Sequence, residues 1–313
     1  MDLKLLAYDE NDNPLNWVYA GPDAIISGNE AIVRMVDNNW TFDQCRVSAG
    51  TAKRIKIVGT TPYPNPSMTD EHIIAGPATI YAGGNFTTAG GDSANRIAGW
   101  NGSSWSPLGT GLNDTCHAVA VAPNGDLYAG GRFATAGGVT VNRIAKWDGT
   151  TWSPLGTTGL NHTCHALAVA PNGDLYAGGW FTEAGGVAAN YIAKWDGTTW
   201  SPLGTGLNLP CWAVAIAPNG DIYAGGRFTD AGGVAVNRIA KWDGSEWSEV
   251  GTGLDGNCHA LAFAPNGDLY AGGSFTEAGG VTANRIAKWD GTTWSPVGTG
   301  LNDYCSALAI DEF

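Results

Sequence analysis

The motif Tyr-Ala-Gly-Gly-x-Phe occurs five times, starting at Tyr81, Tyr128, Tyr176, Tyr223 and Tyr270, with spacings of 47, 48, 47 and 47 residues. Self-similarity at such a period means that one supersecondary unit is copied along the chain, so the fold of the unit decides the fold of the protein. Five tryptophan pairs keep the same phase: Trp100/Trp105, Trp147/Trp152, Trp195/Trp200, Trp242/Trp247 and Trp289/Trp294. So do five Cys-x-Ala segments, at Cys116, Cys164, Cys211, Cys258 and Cys305, and the extra Thr in Thr157-Thr158 accounts for the one longer spacing.

Each unit reads as four short strands. In the second unit, Cys116 to Pro123 alternates alanine and valine before the hairpin signal Asn124-Gly125, and Asp126 to Phe133 follows as a second strand. Ala136-Gly137-Gly138 breaks the pattern, Val141 to Trp147 forms a third strand, and Asp148-Gly149 turns the chain into Thr151 to Leu155. Pro154 assigns that last strand to an edge, because proline cannot donate to a ladder. Four antiparallel strands per unit with no 3.6-residue periodicity predict an all-β fold, a five-bladed β-propeller with about 47 residues per four-stranded blade. Five units of 47 account for 235 of the 237 residues from 77 to 313. The array starts at a second strand, Ala78 to Phe86, and stops after a first strand, Cys305 to Ile310, so the last strand is expected to complete the first blade and close the ring.

The Pro-Asn-Gly-Asp-Leu-Tyr-Ala runs at Pro123, Pro171 and Pro265, in five such units, resemble the five-bladed propeller lectins of the tachylectin type. The Ile-Ala-Lys-Trp-Asp-Gly segment, followed by a second Trp and Leu-Gly, is also similar to repeats of fungal cortical polarity-marker proteins and of bacterial Kelch-like propellers. The lectin resemblance implies one sugar site per blade, between neighbouring blades on one face. The phenylalanine-rich inner strand of tachylectins is alanine and valine here, so no sugar-binding residue is carried across.

Residues 1–60 lack the repeat and read as a small β domain, with β-prone runs at Leu3 to Tyr8, Leu15 to Tyr19, Ala31 to Val36, Cys45 to Val47 and Arg54 to Val58. Residues 61–76 form a linker with prolines at 62, 64 and 66, a semi-rigid spacer of the kind an anchored display module needs. Linker composition leaves open whether the small domain packs on the propeller. Asp9-Glu10-Asn11-Asp12-Asn13 fails the EF-hand pattern, with Pro14 at position six and Ala20 at position twelve, and reads as a solvated hairpin turn.

With 16 Lys and Arg against 29 Asp and Glu, the formal charge is −13 and no basic cluster offsets it, which argues against nucleic acid as a partner. The start, Met1-Asp2-Leu3-Lys4, does not read as a secretory signal, and no apolar run approaches the 18 residues of a membrane span. The letters Gly251-Thr252-Gly253-Leu254-Asp255-Gly256 match a dinucleotide fingerprint, but no helix follows to cradle a phosphate. His-Glu-x-x-His, Gly-x-Ser-x-Gly and Cys-x-x-Cys are absent, so the sequence calls for no enzyme activity, catalytic residue, cofactor or metal. The repeat cysteines, in phase with the small residues of the innermost strand, are expected to be buried free thiols, fitting a chain folded in a reducing cytosol.

The tryptophan pairs read as inter-sheet packing, because they are fixed in every unit. Two slots vary instead. The one after the repeat cysteine holds His117, His165, Trp212, His259 and Ser306, and the one before the repeat phenylalanine holds Asn85, Arg132, Trp180, Arg227 and Ser274. Variation among near-identical units marks positions that packing does not require, so Trp180 and Trp212, each found in one unit only, are expected to face solvent, and with Arg132, Arg227, His117, His165 and His259 they are the ligand-binding candidates. The loops joining strand two to three and one unit to the next open on the same end and should form the recognition face. Asn95, Asn142, Asn190, Asn237 and Asn284 recur there and are expected to brace the loops more than to touch ligand. The expected function is a multivalent recognition module for a glycan or cell-surface receptor, located in a virion or in the cytoplasm, with residues 1–60 available to other virion proteins. The second expectation is a structural propeller that docks a peptide or a neighbouring subunit.

Overall fold

The computed structural model describes residues 79–310 throughout, together with the backbone of six short strands between residues 3 and 72. Two compact units divide at Thr79/Ile80. In the first, Leu3–Tyr8 pairs with Arg54–Gly59 and with Pro14–Leu15, and Glu71–His72 adds a fourth strand beside Arg54–Gly59. Met35–Val36 and Asn39–Trp40 form a separate hairpin. Part of the segment read as a spacer is therefore sheet. The prolines at 62, 64 and 66 all precede residue 71, so nothing in Glu71-His72 forbids a ladder. The run Cys45 to Val47, Thr60 to Met68 and the Asp9–Asn13 turn lie outside the described residues.

The second unit is a series of antiparallel four-stranded sheets. Cys116–Val121, Leu127–Gly131, Ile144–Trp147 and Trp152–Pro154 lie side by side in chain order, with the proline on the outer edge as expected. Three further sheets repeat this arrangement over 164–202, 211–249 and 258–296. The third strand starts later than the sequence pattern indicates, because Asn142 and Arg143 have φ of 50° and 72° and cannot join a ladder. The loop between strands two and three is itself a hairpin, Thr135–Ala136 against Val139–Thr140, turned by Gly137 and Gly138. Leu112 bridges to Ala136 and tethers that hairpin to the loop entering from the preceding sheet.

Packing between sheets explains the Tyr-Ala-Gly-Gly motif. A Cβ on Gly130 would stand 2.6 Å from the Sγ of Cys164 in the next sheet, and Gly83, Gly178, Gly225 and Gly272 face Cys116, Cys211, Cys258 and Cys305 in the same way. The second glycine leaves no room for a Cβ against the backbone carbonyl just ahead of the cysteine in its own sheet: Thr115 for Gly131, Thr163 for Gly179. Neither role needs an unusual φ; both need a missing side chain. The five repeat cysteines are buried free thiols, and burial pushes that of Cys116 up to about 12. Each tryptophan pair is in ring contact, with Trp147 and Trp152 centroids 5.3 Å apart. The second indole of the pair donates to a backbone carbonyl of the preceding repeat: Trp152 to Leu108, Trp200 to Leu155, Trp247 to Leu203 and Trp294 to Val250.

One expectation about the ends is not met. The first sheet has three strands, Ile80–Gly83, Ile97–Trp100 and Trp105–Pro107, and Ile80 on its open edge is 58% exposed. Residues 305–310 form no strand. They keep only the local half of their role: the Cys305 amide donates to the Gly273 carbonyl, and Cys305 and Leu308 pack where a Cβ on Gly272 would stand. Contacts to the adjacent sheet cost little loop closure, whereas a ladder to residues 80–83 spans the whole repeat array.

Candidate functional site

The two ends of the sheets differ in chemistry. At the tight-turn end, Asp148 accepts from the Thr150 and Thr151 amides and hydroxyls, and these bonds, led by that of the Thr151 amide, hold its carboxyl far below the usual carboxylate range. Lys146, Lys194, Lys241 and Lys288 each pair with an aspartate one strand away at 3.0–3.4 Å. These are all the lysines of residues 79–310, whereas its six arginines, 96, 132, 143, 227, 238 and 285, stand at the long-loop end.

At the long-loop end the asparagines brace, as expected. Asn237 Nδ2 donates to the Thr252 carbonyl, and Asn95, Asn142, Asn190 and Asn284 do the same to Thr110, Thr158, Thr205 and Thr299. The following residue is forced into the left-handed region, φ 67° at Arg96, 66° at Tyr191 and 62° at Arg238, a strained conformation for a side chain other than glycine. Between the fourth and fifth sheets this geometry frames a cavity of about 270 Å³ lined by Asn237, Arg238, Thr252, Asp255 and Glu277. The equivalent residues in the preceding units are Asn190, Tyr191, Asn208 and Asp230, then Asn142, Arg143, Asn161 and Glu183. Among the described residues, the Arg238 guanidinium has no hydrogen-bond or ion-pair partner, whereas Arg143 and Arg285 donate to the carbonyls of Arg132 and of Ser274 and Phe275. The arginine after the asparagine was visible in the repeat, but its left-handed backbone was not, because no glycine marks it.

The candidate residues read from the sequence come together along the inner rim, where the first strand of each sheet begins and the second ends. His117 and His165 from adjacent units stack with centroids 4.7 Å apart, and Trp212 stacks on His259 at 4.8 Å. Arg227 lies over the Trp212 ring at 5.8 Å, and Tyr304 reaches His259 at 6.2 Å. Trp180 is 40% exposed, with His162 at 6.2 Å. Arg132, Arg227 and His117 are exposed, His165 and His259 are half-buried, and of the two tryptophans expected to face solvent Trp180 does. Trp212 does not: it is half-buried, because the slot residues of neighbouring units reach one another, so His259 takes one contact and Arg227 another. Burial, then His117, His162 and Arg132, lowers the His165 imidazole to about 4, and burial followed by Arg132 lowers that of His117.

A family profile described as a β-propeller domain of unknown function (DUF5122) matches residues 264–288. No curated protein matches the chain. Among solved structures, a candidate gluconolactonase is 15% identical with a TM-score of 0.42, the match covering 69% of this chain and 73% of that one. A streptogramin B lyase is 14% identical with a TM-score of 0.39 over 99% of this chain and 89% of its own. PorZ, a bacterial surface component of the type-IX secretion system of Porphyromonas gingivalis, is 14% identical with a TM-score of 0.41 over 83% and 35%. Among the described residues, no helix is long and apolar enough to cross a membrane. The repeated four-stranded sheets and the matched profile make this chain an all-β repeat protein of the β-propeller type.

Proposed function

We propose that the protein is a non-enzymatic, multivalent recognition module that binds a glycan or cell-surface receptor through its long-loop end. The observation that carries this reading is the polar cavity beside Arg238, whose bracing Asn and Thr recur in every unit while the residue after the Asn varies. Several similar weak sites on one face raise avidity without any strong single site. The repeat arithmetic extends the reading to five blades. The virion placement, with residues 1–60 facing other virion proteins, rests on the sequence layout alone.

The test is a glycan-array screen of the protein beside two variants, Trp180→Ala and Arg238→Gly. Glycine suits a φ of 62°, so Arg238→Gly removes the guanidinium while relieving backbone strain. Glycan binding that falls in Arg238→Gly supports the module. A folded protein that binds no glycan sinks the carbohydrate reading in favour of a propeller that docks a peptide or neighbouring subunit.

A further inference from the structure

We propose that the inner rim holds a second site, for a carboxylate carried on a sugar: the Arg132 guanidinium takes the carboxylate, the His117/His165 pair adds donors as it protonates, and Trp180 takes the sugar ring. This deepens the recognition reading of the same end and rests on it. The rim is separate from the cavity beside Arg238, since it is built from the first residues of the inner strands and the last of the second strands.

Arg132 is exposed and, among the described residues, its guanidinium has no ion-pair or hydrogen-bond partner. The groups facing His117 are His165, Arg132 and Asp114; those facing His165 are His117, His162 and Arg132. Asp114 is the one acid in this set, and its Oδ1 already accepts from the Thr115 amide at 2.6 Å and the Thr115 hydroxyl at 3.2 Å. The cluster therefore carries a fixed cation and stacked imidazoles that gain charge on acidification, with its one acid engaged locally. An anion between them satisfies Arg132 and adds an attraction that offsets part of what burial, and after it the neighbouring cations, cost the charged imidazoles. Trp180 fills, in the next unit, the slot of Arg132, and its exposed indole offers an apolar ring to the CH face of a sugar. A peptide bound as an added strand or in a groove would need a ladder or an apolar lining, and His117, His165, Asp114 and Thr115 supply neither. A long polyanion would be repelled by the net charge of −13.

The probe is a short α-1,4-linked oligogalacturonate, titrated calorimetrically at pH 7 and pH 5 beside its methyl ester and a glutamate peptide of equal charge. The acid form should bind about tenfold or more tightly than the ester and more tightly at pH 5 than at pH 7, and Arg132→Gln should lose about tenfold. By NMR, saturating oligogalacturonate should raise the titration midpoint of His117. Equal affinity for acid and ester, unchanged affinity in Arg132→Gln, no binding at either pH, or a glutamate peptide that binds through Arg132 in place of the sugar would each overturn the proposal. Neutral-glycan binding that is lost in Arg238→Gly and kept in Arg132→Gln separates this outcome from failure of the broader reading.

Discussion

The seams between sheets and the inner rim are built from the same repeat, a few residues apart, yet they obey opposite rules. At the seam, Cys164 sits against Gly130 and Trp200 donates to Leu155, and the other units repeat both arrangements with the same residue types apart from Val250 as one of the acceptors. On the rim, one slot runs from histidine to tryptophan to serine. On the rim, drift in residue type meets solvent or another side chain and not the backbone of a neighbouring sheet. What the seam fixes is volume; what the rim leaves free is chemistry, which lets a repeat protein diversify its surface without touching its fold.

The sharpest test of that contrast is Gly178→Ala. Its Cβ would lie 2.7 Å from the Sγ of Cys211 and 3.0 Å from Val214. Overpacking of a close-packed seam should cost about 3 kcal/mol in denaturant unfolding. Adding Cys211→Ala should return part of that loss, since it removes the nearest atom. A Gly178→Ala protein as stable as the parent would refute the claim that the motif is a volume constraint.

Next in size, Trp200→Phe removes the 3.1 Å bond to the Leu155 carbonyl and leaves that acceptor buried and unsatisfied. A loss of about 2 kcal/mol is expected, readable from the chemical denaturation midpoint. If Trp195→Phe cost as much, the hydrogen bond would not be what distinguishes the second indole of the pair.

How far the sequence goes differs between the two regions. Strand order, the Asn-Gly and Asp-Gly turns, the edge prolines and the bracing asparagines follow from local turn chemistry and the 47-residue period. The reason for Tyr-Ala-Gly-Gly does not, because the atoms that forbid a Cβ at Gly130 belong to another sheet. The half-burial of Trp212 was missed for the same reason: a slot read one unit at a time looks solvent-facing, and the partner that covers it, His259, is 47 residues further on. Arg238 escaped notice because its left-handed backbone carries no glycine.

The rim histidines add a pH dependence that the seam lacks. The His165 imidazole falls from the ordinary 6.5 to about 4, so between those values the unfolded chain binds a proton that the folded one does not. Stability should therefore decline as pH drops from about 6.5 towards 4 and be unaffected by this group above 7. His165→Ser, the residue that Ser306 contributes to the same slot, should flatten that part of the stability profile. An unchanged slope would show that the stacked pair is not destabilised by charge.

The smallest expected effect lies where variation is greatest. Trp180→Asn places in the third unit the residue that Asn85 supplies in the first, at a position 40% exposed and outside the seam. Loss of an exposed indole whose one ring contact is His162 at 6.2 Å should change folding stability by no more than about 0.5 kcal/mol. Glycan binding, by contrast, should fall. A stability loss of the size expected for Trp200→Phe would mean that Trp180 belongs to the frame after all, and the division between fixed seam and free rim would have to be redrawn through that slot.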